Sequence, residues 1–147
     1  MFGLYLLLAF LGGVAVMFQV GVNSQLRNWV GHSVFAAFIS FSIGALVLFF
    51  YILIQRVPWP DWSKTWQAPW WVWLGGALGA FYVWTTIVVA PKIGTAALMS
   101  LVVTGQMLIS LTLDHFGLLG LARHPVNVWR LLGVLLLLLG VALIRGK

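Results

Sequence analysis

The segment Ser33–Ile54 reads SVFAAFISFSIGALVLFFYILI and contains no charged residue. A helix of about 20 apolar residues crosses the roughly 30 Å hydrocarbon core of a bilayer, so this segment predicts a transmembrane helix. Lipid offers no hydrogen-bond partner to an unpaired backbone group, and the chain lacks the alternating pattern of membrane barrel strands. We therefore expect every membrane-spanning segment of this chain to be a helix.

Four similar apolar stretches accompany this segment, which predicts an all-α integral membrane protein with five transmembrane helices. The expected single membrane domain covers residues 1–147, with helices at about 3–25, 33–54, 69–90, 93–113 and 127–144. The composition agrees, because 63% hydrophobic and 7% charged residues could not cover a soluble domain. The first stretch lacks a basic N-terminal region and a small-residue cleavage site, so we expect a retained helix.

The segments between the helices contain proline and tryptophan. Val57–Trp71 (VPWPDWSKTWQAPWW) has five tryptophans and three prolines, which predicts a position among the lipid headgroups. An aromatic cage for cations is the alternative. Pro69 suits the first turn of the third helix, and we expect Pro91-Lys92 to end that helix.

The charge pattern favours a membrane over nucleic acid. The net charge of +6 comes from eight Lys and Arg residues that are scattered singly, without a basic cluster. With five spans the two sides receive four each: Arg56, Lys64, Arg123 and Arg130 on the N-terminal side, and Arg27, Lys92, Arg145 and Lys147 on the other. Positive charge in cytoplasmic loops normally fixes orientation. The tie predicts dual topology and an antiparallel homodimer; a single orientation set by another feature, such as Arg130 inside its span, is the alternative.

Catalytic chemistry is not indicated by the residue inventory. The chain has no cysteine, its only acids are Asp61 and Asp114, and its three histidines lie at loop edges. No spacing matches a metal site, a nucleophile triad or a phosphate-binding loop. We expect neither an enzyme nor a bound cofactor or metal.

Polar residues inside the spans are the informative exceptions, because each is costly in hydrocarbon unless it faces a partner or water. Gln19 and Asn23 are four residues apart and share one helix face. Other helices carry polar residues at a similar depth, namely Ser40, Ser42, Thr85, Thr86, Thr95, Ser100 and Thr104. The pattern predicts a water-filled vestibule. Alternatively, the Ser and Thr hydroxyls bond their own helix carbonyls, and the amides hold helices together.

A second polar stripe, Gln106, Ser110 and Asp114, follows one face of the fourth span. Asp114 beside His115 could serve proton relay or cation binding. Asp114 could instead form an ion pair with Arg123 or Arg130.

Small residues predict close helix packing. Gly75-x-x-x-Gly79 would let another helix approach the third span. Gly133 and Gly140, seven residues apart on the last span, predict a dimer seam, with packing inside the monomer as the alternative.

Taken together, several stretches resemble the YdcZ-like bacterial inner-membrane family of the drug/metabolite transporter superfamily. The stretches are Gln19-x-x-x-Asn23, Ser40-Phe41-x-x-Gly44, the segment from Pro69 to Val83, Pro91-Lys92-x-Gly94, Gly105-Gln106, the segment from Ser110 to Gly117, and Arg130-Leu131-x-Gly133.

The resemblance implies a five-helix half of a ten-helix inverted-repeat transporter, completed by antiparallel pairing. Similarity to the small multidrug resistance branch, whose last helix pairs subunits through glycines seven apart, favours Gly133 and Gly140 as the seam. Those relatives couple export to a glutamate in the first helix. This chain has no glutamate, so that mechanism is not implied.

The expected function is transport of a polar or amphipathic small molecule across the bacterial inner membrane by alternating access. The partners expected are the lipid bilayer, a small-molecule substrate, and a second copy or a paralogue. Asp114 is the candidate coupling residue, and the expected substrate-binding residues are Gln19, Asn23, Ser40, Gln106 and Ser110. A non-transporting scaffold or accessory subunit is the alternative, and a gated pore is a third possibility.

Overall fold

The computed structural model describes residues 2–145, and within them the regular structure is entirely helical. The helices are α1 (Phe2–Val30), α2 (Ser33–Ile54), α3 (Trp62–Thr65), α4 (Leu74–Ile93), α5 (Thr95–Phe116) and α6 (Val128–Arg145). Short 3-10 turns lie at Trp70–Trp73, before α4, and at Leu118–Gly120, after α5.

Four of these segments are long and apolar enough to cross a membrane. They are Phe2–Val30, Ser33–Ile54, Trp70–Ile93 and Thr95–Phe116. A shorter apolar stretch follows at Val128–Ile144. At 1.5 Å per residue its length is about 26 Å, the lower limit for a span. The all-helical membrane class is confirmed, and a fifth crossing by α6 stays a prediction.

Large apolar side chains face outward along the long helices. Phe18 is 73% exposed, Leu78 66% and Leu136 67%. An apolar surface of this extent would be unstable in water but is suited to lipid chains.

The chain forms two compact units, of which the first is Met1–Lys92. Here α1 packs against α2 through a turn at Gly31, whose φ of +79° is readily adopted by glycine. The His32 ring begins α2, its Nδ1 accepting a hydrogen bond from the Val34 amide. A small apolar core joins α2 to α4 and consists of Ala36, Ala37, Val83 and Ile87.

The second unit, Ile93–Lys147, is a hairpin of α5 and α6. Gly117 ends α5 in the left-handed conformation, with φ +63°. A Cβ at this position would lie 3.4 Å from the Arg123 Cβ. The loop therefore folds back closely over the end of α5.

The helix ends differ from the predicted ones where local geometry outweighs composition. Helix α1 continues to Val30, five residues beyond Gln25, because Arg27, Asn28 and Trp29 are compatible with helix and the break is at Gly31. Pro91 does not break α4, which continues to Ile93. A proline removes one hydrogen bond, here to the Ile87 carbonyl, whereas Gly94 with φ +80° and ψ 155° cannot continue a helix.

Candidate functional site

Gln19 and Asn23 of α1 lie in different environments despite their shared helix face. Gln19 is exposed, whereas Asn23 is only 3% exposed. Val20, between them, is 2% exposed, and its carbonyl accepts the Ser24 hydroxyl at 2.8 Å. The polar stripe of α1 is therefore buried at Asn23 and open one turn earlier.

The Asn23 amide nitrogen is buried and has no hydrogen-bond partner among residues 2–145. A buried donor left unpaired costs about 1–3 kcal/mol, so such groups are uncommon without a water or ligand. The arrangement leaves this donor without a hydrogen-bond acceptor in the described structure.

Several Ser and Thr hydroxyls donate to backbone carbonyls of their own helix, which is the alternative to a water-filled vestibule. The Thr86, Ser100 and Thr104 hydroxyls donate to the carbonyls of Val83, Ala96 and Ser100, each at 2.8 Å. Thr85 differs, because its buried hydroxyl has no hydrogen-bond partner within the described part of the chain. These hydroxyl bonds satisfy the helix locally and do not require a vestibule.

The candidate residues divide between the two units. Gln19, Asn23 and half-buried Ser40 belong to the first, and the exposed Gln106 and Ser110 to the second. A common vestibule that includes both groups stays a prediction.

Asp114, near the end of α5, forms an ion pair with Arg130 of α6. The Asp114 Oδ2 and Arg130 Nη1 atoms are 3.1 Å apart, with the two side chains 27% and 34% exposed. Arg123 instead donates its Nε to the His115 carbonyl at 3.1 Å. Of the two predicted partners of Asp114, Arg130 therefore forms the pair.

Backbone groups of the α5–α6 loop reinforce this pair. The Asp114 carbonyl accepts the His124 amide at 2.7 Å, and the His124 carbonyl accepts Arg130 Nη1 at 3.0 Å. The His115 Nδ1 accepts the Val126 amide at 3.1 Å. His115 is thus a structural acceptor through Nδ1, which removes that atom from a proton relay unless the loop moves.

A groove of about 320 Å³ runs between α5 and α6 next to the ion pair. Its polar end has Ser110, Asp114 and Arg130 in the wall, and its apolar length includes Met107 and Leu137. Gly133 also lines this groove, while Gly140 lines a second groove further along α6.

The space beside Gly133 and Gly140 is open, whereas close packing of another helix of the same chain would fill it. A Cβ built on either would meet no described atom within 4 Å. By contrast, a Cβ on Gly79 of α4 would lie 3.4 Å from the Phe41 ring of α2. Close packing inside the monomer thus explains Gly79 but not the two α6 glycines.

The tryptophan-rich loop is exposed and carries the other acid, Asp61. This carboxylate begins α3 by accepting the Ser63 amide at 3.0 Å and the Ser63 hydroxyl at 2.6 Å. These bonds hold the pKa of Asp61 below its usual value. Trp66 and Trp73 stack with ring centres 5.8 Å apart, and both remain at least half exposed.

Arg130 was expected from the sequence as a flanking charge and as a possible partner of Asp114, but its position in the wall of a groove was not predicted. One signal was available. Arg130 and Gly133 are three residues apart, so they share a face of α6. A charged residue beside a glycine, which has no side chain to fill the space, indicates a cleft when that face packs against the polar stripe of α5.

A family model described as "Putative inner membrane exporter, YdcZ" matches residues 4–143. Neither the search of curated proteins nor the search of solved structures gave a match. The family is one of membrane transporters rather than enzymes, and its inner-membrane location agrees with the apolar helices. Because the match covers nearly the whole chain, the protein belongs to this YdcZ family of inner-membrane proteins.

Proposed function

We propose that this chain transports a polar or amphipathic small molecule by alternating access, working as a dual-topology antiparallel homodimer. Family membership supports transport in general. The observation that carries the more specific proposal is the buried, unpaired amide nitrogen of Asn23.

The Asn23 donor suits a solute that brings a carbonyl, hydroxyl or carboxylate oxygen. An unpaired buried group destabilises the empty protein, and a bound acceptor removes that cost. Differential binding of this kind is what an alternating-access cycle needs, because a solute shifts an equilibrium only by binding one state better. Gln19, one turn away and exposed, would meet the solute first.

Antiparallel pairing is supported by the charge count and by α6. If α6 crosses the membrane, the flanking Lys and Arg residues divide equally, and neither orientation is favoured. The open positions at Gly133 and Gly140 would let the same helix of a second copy approach closely. Two inverted copies would then supply the ten helices of an inverted-repeat transporter.

Ligand-induced stabilisation of the purified protein tests the transport proposal. A panel of sugars, amino acids, nucleosides, carboxylates and amphipathic amines is screened by thermal unfolding in mild detergent. Asn23→Leu should abolish the shift given by any stabilising solute, without lowering the stability of the empty protein, because it removes an unpaired buried donor. Ser24→Ala is the matched control, since its hydroxyl already bonds the Val20 carbonyl.

Two results would favour the scaffold alternative. One is the absence of any stabilising solute in the panel. The other is a solute shift that Asn23→Leu leaves intact and that is accompanied by no flux into proteoliposomes.

Topology is tested separately with a C-terminal reporter that is active only in the cytoplasm and a second that is active only outside. Dual topology predicts activity from both fusions in similar amounts. Activity from one fusion alone would rule out dual topology while leaving transport by a parallel assembly open.

A further inference from the structure

The groove between α5 and α6 combines an apolar length with one charged end. Met107, Leu137 and Val134 provide apolar surface, and Ser110, Asp114 and Arg130 lie at the polar end. A groove of about 320 Å³ with this layout matches a molecule that has a polar head and an apolar chain.

The guanidinium of Arg130 is only partly used by the protein. Its Nη1 donates both to Asp114 and to the His124 carbonyl. The Nε and Nη2 groups donate to no group of the described chain, residues 2–145. A guanidinium has five N–H donors in a planar fork, so several remain for an oxyanion.

The Ser110 hydroxyl is a second available donor. Elsewhere on α5, Ser100, Thr104 and Thr112 each bond the carbonyl four residues earlier. Ser110 makes no such bond in the described structure, although its position in the helix would permit one. Ser110 is one of the residues that line the groove.

The charge balance at this end of the groove favours an anion over a cation. Asp114 is neutralised by Arg130, so the described residues that line the groove present no uncompensated negative charge. A cation would have to displace Arg130 from Asp114. An anion can bind the remaining donors without breaking that pair.

From these observations we propose that the α5–α6 groove binds an amphipathic anion, with Arg130 and Ser110 holding a carboxylate or phosphate head and the apolar wall holding its chain. The head could belong to a free solute or to an anionic phospholipid of the surrounding bilayer. This proposal deepens the proposed transport function if the anion is the solute, but the site itself does not depend on Asn23. Because Gly133 lines the same groove, the bound anion would lie beside the proposed dimer seam.

The test uses full-length protein in a neutral maltoside detergent. The probes are decanoate, decyl phosphate and phosphatidylglycerol, with decylamine and decanol as controls of equal chain length for the first two. Binding is followed by the shift in unfolding temperature and by native mass spectrometry. The anions should bind more tightly than decylamine and decanol by about tenfold or more, the value of one charge-assisted hydrogen bond.

Substitutions locate the site. Arg130→Gln should weaken anion binding about tenfold and Ser110→Ala several-fold, while Arg123→Gln, which removes an equal charge outside the groove lining, should change it by less than about twofold. Ser110→Ala removes no hydrogen bond of the described structure, so it keeps the test informative if Arg130→Gln fails to fold. Arg130→Lys should retain partial binding.

Binding of either decanoate or phosphatidylglycerol that depends on Arg130 and Ser110 supports the proposal, and the tighter of the two identifies the source. Equal binding of decylamine, or equal effects of Arg130→Gln and Arg123→Gln, would overturn it. A solute shift lost in Asn23→Leu but kept in Ser110→Ala would leave transport standing without this site.

Discussion

Asp61 illustrates how one exposed residue determines a local structure. Its carboxylate begins the single turn of α3 and accepts two hydrogen bonds from Ser63. The lowered pKa means that this interaction is complete at neutral pH and is lost as the pH falls through the folded-state value.

Removing the Ser63 hydroxyl should therefore raise the pKa of Asp61 toward its ordinary value. The Ser63 side chain is the largest cause of the lowering, and Ser63→Ala leaves the backbone amide bond in place. The titration of the Asp61 carboxyl carbon, followed by NMR in detergent, measures the effect. Thr65→Val is the control, because the Thr65 hydroxyl bonds the Asp61 backbone carbonyl rather than its carboxylate. An unchanged midpoint in Ser63→Ala would contradict the assignment.

The Asp114–Arg130 pair is the other interaction at the scale of single residues. Both groups are partly exposed, so the pair should contribute less than a fully buried one. A double-mutant cycle of Asp114→Asn and Arg130→Gln should give a coupling energy of about 1–2 kcal/mol. The measurement is unfolding in mixed detergent micelles. Coupling of Arg123→Gln with Asp114→Asn should be close to zero, and equal coupling by both arginines would show that only general charge is involved.

At the scale of helices, the connection between α4 and α5 depends on one backbone conformation. Gly94 has φ +80° and ψ 155°, a region that is essentially restricted to glycine. Gly94→Ala should destabilise the protein by about 1–3 kcal/mol.

Gly105 provides a matched control on α5. It lies inside the helix, and an added Cβ would meet nothing within 4 Å. Gly105→Ala should therefore be neutral or stabilising by up to about 1 kcal/mol. Thermal unfolding of both variants in the same detergent checks the pair. Equal effects would mean that the Gly94 conformation can relax.

Much of the helical architecture could be predicted because uncharged apolar stretches leave lipid-spanning helices as the only stable form. The helix ends were less predictable. Arg27 and Pro91 indicate an end by composition, but a helix tolerates both, and backbone geometry at Gly31 and Gly94 decides the break.

The candidate site, like the helices, could be predicted from the sequence only in part. The exceptional polar residues could be found from sequence, since each is costly in lipid. Sequence could not reveal that Asn23 is unpaired while Ser100 and Thr104 bond their own helix, because rotamer and burial decide this. The sequence also did not decide whether Asp114 forms its ion pair with Arg123 or with Arg130, because the fold of the loop determines this.

For the whole molecule, the prediction concerns assembly through α6. Gly133→Leu and Gly140→Leu should weaken the dimer by filling the space that a second helix would occupy. Ala142→Leu adds similar bulk on the opposite face of α6 and is the control. Ala142 lies nine residues after Gly133, which at 3.6 residues per turn places it about half a turn away around the helix.

Cross-linking in membranes and light scattering in detergent measure the dimer fraction of these variants. A loss of dimer in the glycine variants alone is the expected result. If Ala142→Leu disrupts the dimer equally, or none of the three does, the seam lies elsewhere.

The Asp114–Arg130 pair also has a consequence for biogenesis. If α6 crosses the membrane, its entry from the translocon into lipid is unfavourable for α6 alone, because the helix is short and Arg130 lies within its first turn. Asp114 is 16 residues upstream on α5, close enough for the two helices to meet as soon as α6 has been synthesised. Neutralisation of Arg130 by Asp114 lowers the cost of partitioning, so α5 and α6 should leave the translocon together, and the last helix should depend on its predecessor for integration.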